Sequence, residues 1–189
     1  MADAIADVAA GRYPSAIWEV PGITISMFRP DWMHCADLGI LQYCMGNIMW
    51  ELVVELGGTF RKAKPACARL LAMSKAMAAT IGVDLPFTAL TPGMIRTAMK
   101  KGPSLRLKAA EGRHYLPILR QMLLNCFGLA TPHAKLRFDC LDRLHDCYEL
   151  LKDWQEDGSS ALKLATSARV HLLLYRQLHE SAAHENNGS

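Results

Sequence analysis

Apolar residues recur every three or four positions along most of this chain, and in only one short stretch do they alternate instead. From Leu38 the series Leu41, Met45, Ile48, Leu52 and Leu56 keeps to a single helical stripe, which Gly57-Gly58 closes. A second helix is predicted to begin near Thr59 or after Lys64, because Pro65 suits a first turn and not an interior; it runs through small alanines to Gly82. Those alanines favour close approach of a neighbouring helix. Thr91 and Pro92 mark the cap and first residue of a short helix. A longer one is expected over Lys108 to Phe127, with Gly112 and Pro117 as internal weak points. Leu136, Cys140, Leu141, Leu144, Cys147, Tyr148, Leu151 and Trp154 share one face of the next helix. Leu162, Ala165, Val170, Leu173, Leu174 and Leu178 do the same in the last, which is expected from Ser160 to about Ala183.

The exception is "AIWEVPGITISMF", where Ile23, Ile25 and Met27 alternate with Thr24 and Ser26. This predicts one or two short strands turned at Pro21-Gly22. So few strands cannot make a sheet and need a helical wall. The fold class is therefore mainly α: five or six helices packed in one domain, with one or two short N-terminal strands. That domain is expected over residues 17–183, after an alanine-rich segment 1–16 interrupted by Gly11 and Pro14 and before a disordered tail, 184–189.

Composition narrows the setting. A chain of 189 residues that is 51% hydrophobic can bury one real core. The net charge of +3 permits a nucleic-acid partner without implying one, since Lys and Arg come singly or in small groups (Arg61, Lys62, Lys64; Lys100, Lys101) and never in a dense run. Six cysteines lie inside helical patterns, and the N-terminus carries no basic region of a secretory signal, so a reduced, intracellular chain is expected. The most apolar window, Leu38 to Leu56, is broken by Gln42, Asn47, Glu51 and Glu55 and reads as a buried helix, with no membrane partner.

Two places hold candidate chemistry. In "RPDWMHCADLGI", Asp31 stands at the start of a long apolar helix with His34 three residues on. The carboxylate can cap the helix, a contribution of about 1 kcal/mol, or it can serve as an oxygen ligand for a divalent ion. In "SLRLKAAEGRHYL", Glu111 can pair with Lys108 or lie on a solvated face, but Leu105 and Leu107 give an extended approach to the helix, a setting in which metal-dependent phosphoryl chemistry finds ligands. Cys140, His145 and Cys147 resemble zinc ligands only superficially. No second ligand pair accompanies them, and Cys140, Leu144 and Cys147 share a stripe as core residues do. No phosphate-binding Gly loop, GxSxG elbow or HExxH helix occurs, and the aromatics do not interleave with Lys or Arg as a single-strand stacking platform would.

The order Asp-x-x-His, Leu-Gly, apolar helix in "DWMHCADLGILQYCMGNIMWEL" resembles the D-x-M-H-x-x-x-L-G-v segment of CACTA-type transposases and their Plavaka-like and KDZ-like relatives. "LKAAEGRHYLPIL" resembles the f-K-A-x-E-W-R-n-f-L segment that follows it there, with Gly112 in place of the tryptophan. The resemblance covers about Ile23 to Cys126. It implies part of an RNase H-like catalytic region with a helical insertion, which cleaves and joins DNA strands with Mg2+ or Mn2+. On that reading Asp31, His34 and Glu111 are the catalytic candidates, and Asp31 and Glu111 the metal ligands. The family's first metal-binding aspartate and most of its sheet are expected upstream of residue 20, and Asp3 and Asp7, in an alanine-rich segment, do not replace them. Two-metal chemistry needs several converging carboxylates. The expectation is thus a transposon-derived remnant, inactive as an isolated chain and holding no cofactor, with DNA, itself or another helical protein as partner and an intracellular, nuclear location. The alternative is a helical protein-interaction domain without catalytic activity.

Overall fold

The computed structural model describes residues 33–96, 98, 101–153 and 159–187, and these are mainly helical. The one or two expected strands, the 1–16 segment and Asp31 lie outside the described residues. Helix α1 begins with π-helical bonding over Met33–Leu41 and continues as a regular helix over Gln42–Glu55. It ends where the sequence places its stop. Gly57 adopts φ +78°, and a side chain at Gly58 would put Cβ 2.6 Å from Val53 Cγ1, so both positions exclude larger residues.

Helix α2 spans Lys64–Ile81 with Pro65 in its first turn and Gly82 left-handed beyond its end. Helix α3 is the single turn Pro92–Ile95. Helix α4 covers Ala109–Met122 and passes into a π-helical end, Leu123–Phe127. It carries Pro117 in its interior without splitting. Helix α5, Pro132–Lys152, is capped by Thr131, whose hydroxyl accepts from the Ala134 N–H at 3.0 Å. Helix α6 runs Ser159–Asn187, past the expected end near Ala183 and into the segment expected to be a tail. Neither Gly nor Pro interrupts it before Gly188.

These helices belong to one compact unit, Met33–Ser189. Its core is built on α1, whose Leu41, Met45, Ile48, Met49 and Leu52 are sealed from water against α2, α4 and α5. Burial of such side chains contributes about 1.5–3 kcal/mol each. Two hydroxyls inside this core pair with one another. The Ser74 hydroxyl donates to the Leu70 carbonyl at 2.8 Å and pairs with the Tyr115 hydroxyl at 2.9 Å. The segment before α4, where Leu105 and Leu107 suggested an extended approach, has no regular secondary structure and turns tightly, the Leu107 N–H donating to the Leu105 carbonyl at 2.9 Å; it lies directly on α1, with the Leu105 N–H donating to the Gln42 carbonyl at 2.9 Å. Gly46 makes this possible, because a Cβ there would sit 2.4 Å from Ser104 Cα.

Candidate functional site

The two segments that carry the transposase resemblance come together. The start of α1 packs on α4, and Gly112 faces α1, where a Cβ would make ordinary contact with Leu41 Cδ2 at 3.4 Å and Met45 Cε at 3.6 Å. Within this junction the expected residues play different parts. His34 is exposed. Glu111 is half-buried and turned back on its own helix, where its Oε2 accepts the Lys108 backbone N–H at 2.9 Å. That bond satisfies a donor that helix geometry leaves orphaned, so Glu111 acts as a cap.

The buried carboxylate of the first segment is Asp37, which sequence reasoning passed over. It is 3% exposed, accepts a hydrogen bond from the Tyr148 hydroxyl at 2.6 Å, and faces Arg113 Nε at 3.7 Å. Burial, and then the neighbouring Asp37 carboxylate, push the Tyr148 phenol well above its ordinary range, so it stays a donor. Asp37 thereby ties α1 to α4 and α5. Nothing in its local sequence signals this, because Tyr148 is 111 residues away.

A second cluster joins α1, α5 and α6. The sulfurs of Cys44 and Cys140 and a ring nitrogen of His171 lie within 4.8 Å of one another, and all three residues are buried. His171 Nδ1 is 2.9 Å from the Cys140 carbonyl and 3.6 Å from its sulfur. Since a carbonyl only accepts, that nitrogen carries a proton here. His171 Nε2 is buried with no hydrogen-bond partner. The hydrogen bond from Cys44 holds the Cys140 thiol below its usual range; burial opposes this and His171 assists it. Cys44 is correspondingly raised, by its bond to Cys140 and then by burial. For His171 burial acts downward most strongly, yet the bond to Cys140 and its charge together bring it up. The zinc-like trio suggested by spacing, Cys140, His145 and Cys147, is not what assembles: Cys147 is a buried stripe residue, as expected, and the partners of Cys140 come from other helices.

A third feature is a segregation of charge. Residues 56–110 hold ten Lys and Arg and one acid, Asp84, a net +9, while the rest of the chain nets −6. Arg61, Lys62, Lys64, Arg69, Lys75, Lys101, Arg106 and Lys108 are all exposed. The structure gathers two parts of this region around one aromatic side chain. Arg96 lies over the Trp50 ring, 5.1 Å from its centroid, and Phe60, next to Arg61, lies 6.3 Å from the same ring. Two hydrogen bonds link residues 94–96 to residues 101–106: the Arg106 N–H donates to the Met94 carbonyl at 2.7 Å, and the Arg96 side chain, through Nε, to the Lys101 carbonyl at 3.1 Å. The signal was present in the sequence but needs a window of some fifty residues, far wider than the runs by which basic segments are usually found.

No family model, curated protein or solved structure matches the chain. No described helix is long and apolar enough to cross a membrane.

Proposed function

We propose that this chain is the helical, DNA-contacting part of a transposase-like core, a transposon-derived remnant that binds duplex DNA and does not cut it alone. The observation that carries the reading is the charge segregation: exposed cations of the α1–α2 turn, α2 and residues 101–108, with Phe60 of that turn and Arg96 both meeting Trp50. A surface of one sign that follows successive elements suits a phosphate backbone, where each neutralised phosphate releases counterions. The mutual packing of the two transposase-like segments supports the same origin. Glu111, engaged as a cap, and His34, exposed, do not by themselves form the converging carboxylates that two Mg2+ or Mn2+ ions need.

The test is fluorescence anisotropy of labelled duplex DNA with the full chain at several salt concentrations, alongside a Mg2+ or Mn2+ nicking assay. Binding should weaken steeply with salt. The R61E/K62E/R106E variant should bind at least tenfold more weakly, with a salt slope that falls by about 1 for each phosphate it no longer neutralises. Equal binding by that variant, or metal-dependent nicking by the chain alone, would refute the reading.

An alternative, a protein-interaction domain, draws on α6, which exposes Leu162, Leu172 and Leu173. Concentration-dependent self-association that L172E/L173E abolishes, with no DNA binding, would favour it.

A further inference from the structure

We propose that Cys44, Cys140 and His171 form a site for one thiophilic metal ion, zinc(II) or copper(I), which staples α6 to α1 and α5. The inference stands apart from DNA binding and rests on three observations.

The first is spacing. A metal with bonds of about 2.3 Å to sulfur and about 2.0–2.1 Å to nitrogen sets its donor atoms roughly 3.5–4 Å apart. His171 Nδ1 and Cys140 Sγ are 3.6 Å apart, and the three donors lie within 4.8 Å of one another. The three donors supply three of the four positions of a tetrahedral zinc(II), or the whole shell of a three-coordinate copper(I).

The second is the donor set in its surroundings. Two sulfurs and an imidazole are the ligands that soft or borderline ions prefer over magnesium or calcium. The cluster is sealed, with Cys44 0%, Cys140 0% and His171 1% exposed, so hydration does not compete for its donors. His171 Nε2 is buried and without a hydrogen-bond partner, an arrangement that an ordinary core histidine adopts only at a cost in stability. Exchange of the Nδ1 proton for a metal, or use of Nε2 itself, gives this ring a task beyond packing. On binding, the two thiol protons leave to solvent; a neutral ring that ligates through Nε2 keeps its Nδ1 proton, one that ligates through Nδ1 carries that proton on Nε2 instead, and no electron is transferred.

The third is architectural. Helix α6 is 29 residues long, yet Leu178 is the one apolar side chain it buries fully among the described residues. Its other buried residues there are Ser160 and His171. The helix otherwise packs along α5 and on the core through the partly buried Leu174 and Tyr175, with polar ties that include Asn47 Nδ2 donating to the Tyr175 hydroxyl at 2.6 Å and His133 paired with Ser181 at 2.9 Å. A metal held by Cys44, Cys140 and His171 would add a tie from this helix to α1, beyond its packing along α5.

The experiment uses the full chain, purified metal-free under reducing conditions and titrated with zinc(II), or with copper(I) in the absence of air, each against a coloured chelator. Cobalt(II) serves as the spectroscopic probe. One equivalent should bind, and cobalt should show the ultraviolet charge-transfer band of thiolate ligation. The C44S/C140S variant should bind about a hundredfold more weakly or worse, while C35S/C126S, altered at exposed thiols, should match the parent. Which ion withstands the chelator identifies the metal.

Because the double variant can also misfold, the unmutated chain provides a second readout. In mild denaturant, bound metal should protect Cys44 and Cys140 from alkylation while Cys67 and Cys147, buried but outside the cluster, react as before. Failure of both ions to bind at one equivalent, full binding by C44S/C140S, or equal alkylation of all four buried thiols with and without metal would overturn the proposal.

Discussion

Helices α1 and α6 are both long and both carry an apolar stripe, but they are held in different ways. Over Gln42–Glu55, α1 buries Cys44, Met45, Gly46, Ile48, Met49, Leu52 and Val53 and contacts most of the other helices. Helix α6 packs chiefly along α5, leaves Leu162 72% and Leu173 53% exposed, and meets the core mainly through Leu178, the partly buried Leu174 and Tyr175, and polar bonds. The same periodicity thus gives two outcomes. Spacing of apolar residues says that a helix has a face; it does not say how much of that face another element covers.

The contrast can be broken at its strongest point first. Leu52→Ala removes a fully buried side chain from the middle of α1 and should lower the unfolding free energy by about 3 kcal/mol, read as a shifted denaturant midpoint with unchanged slope. A loss under about 1 kcal/mol would mean that α1 is not the central support. Next in size is Arg137→Ala. The Arg137 side chain on α5 is buried and forms ion pairs with Glu55 and, at 3.5 Å, with Glu51, both on α1. Its removal leaves carboxylates that keep part of their hydration, so the cost should be about 2 kcal/mol, below the roughly 3–5 kcal/mol of a fully enclosed pair. Equal stability of parent and variant in urea would show that the pairs only fill space. The smallest effect belongs to α6. Leu173→Gln should change stability by no more than about 0.5 kcal/mol, and a clearly larger loss in thermal unfolding would reveal that this face is covered.

Much of the helical architecture was legible because its signals are local. Gly57-Gly58 and Gly82 end α1 and α2, Pro92 opens α3, and the stripes of α1 and α5 face the core as their spacing implies. The chemistry was less so, because its partners meet from distant parts of the chain. Asp37 is one acid among several in the sequence, and only the arrival of Tyr148 makes it a buried junction. Cys140 has His145 and Cys147 close in sequence, yet the residues beside it in space are Cys44 and His171, from two other helices. Glu111 shows the converse in part: its cap joins residues three apart, but the sequence suggested a charge pair with the Lys108 side chain, and the bond that forms is to the Lys108 backbone N–H.

The junction at Gly112 also sets what α4 can present to α1. A methyl group there would make ordinary contact with Leu41 Cδ2 at 3.4 Å and Met45 Cε at 3.6 Å, both far ends of flexible side chains. The fit of any bulkier residue at 112 therefore turns on how far those two ends can swing aside.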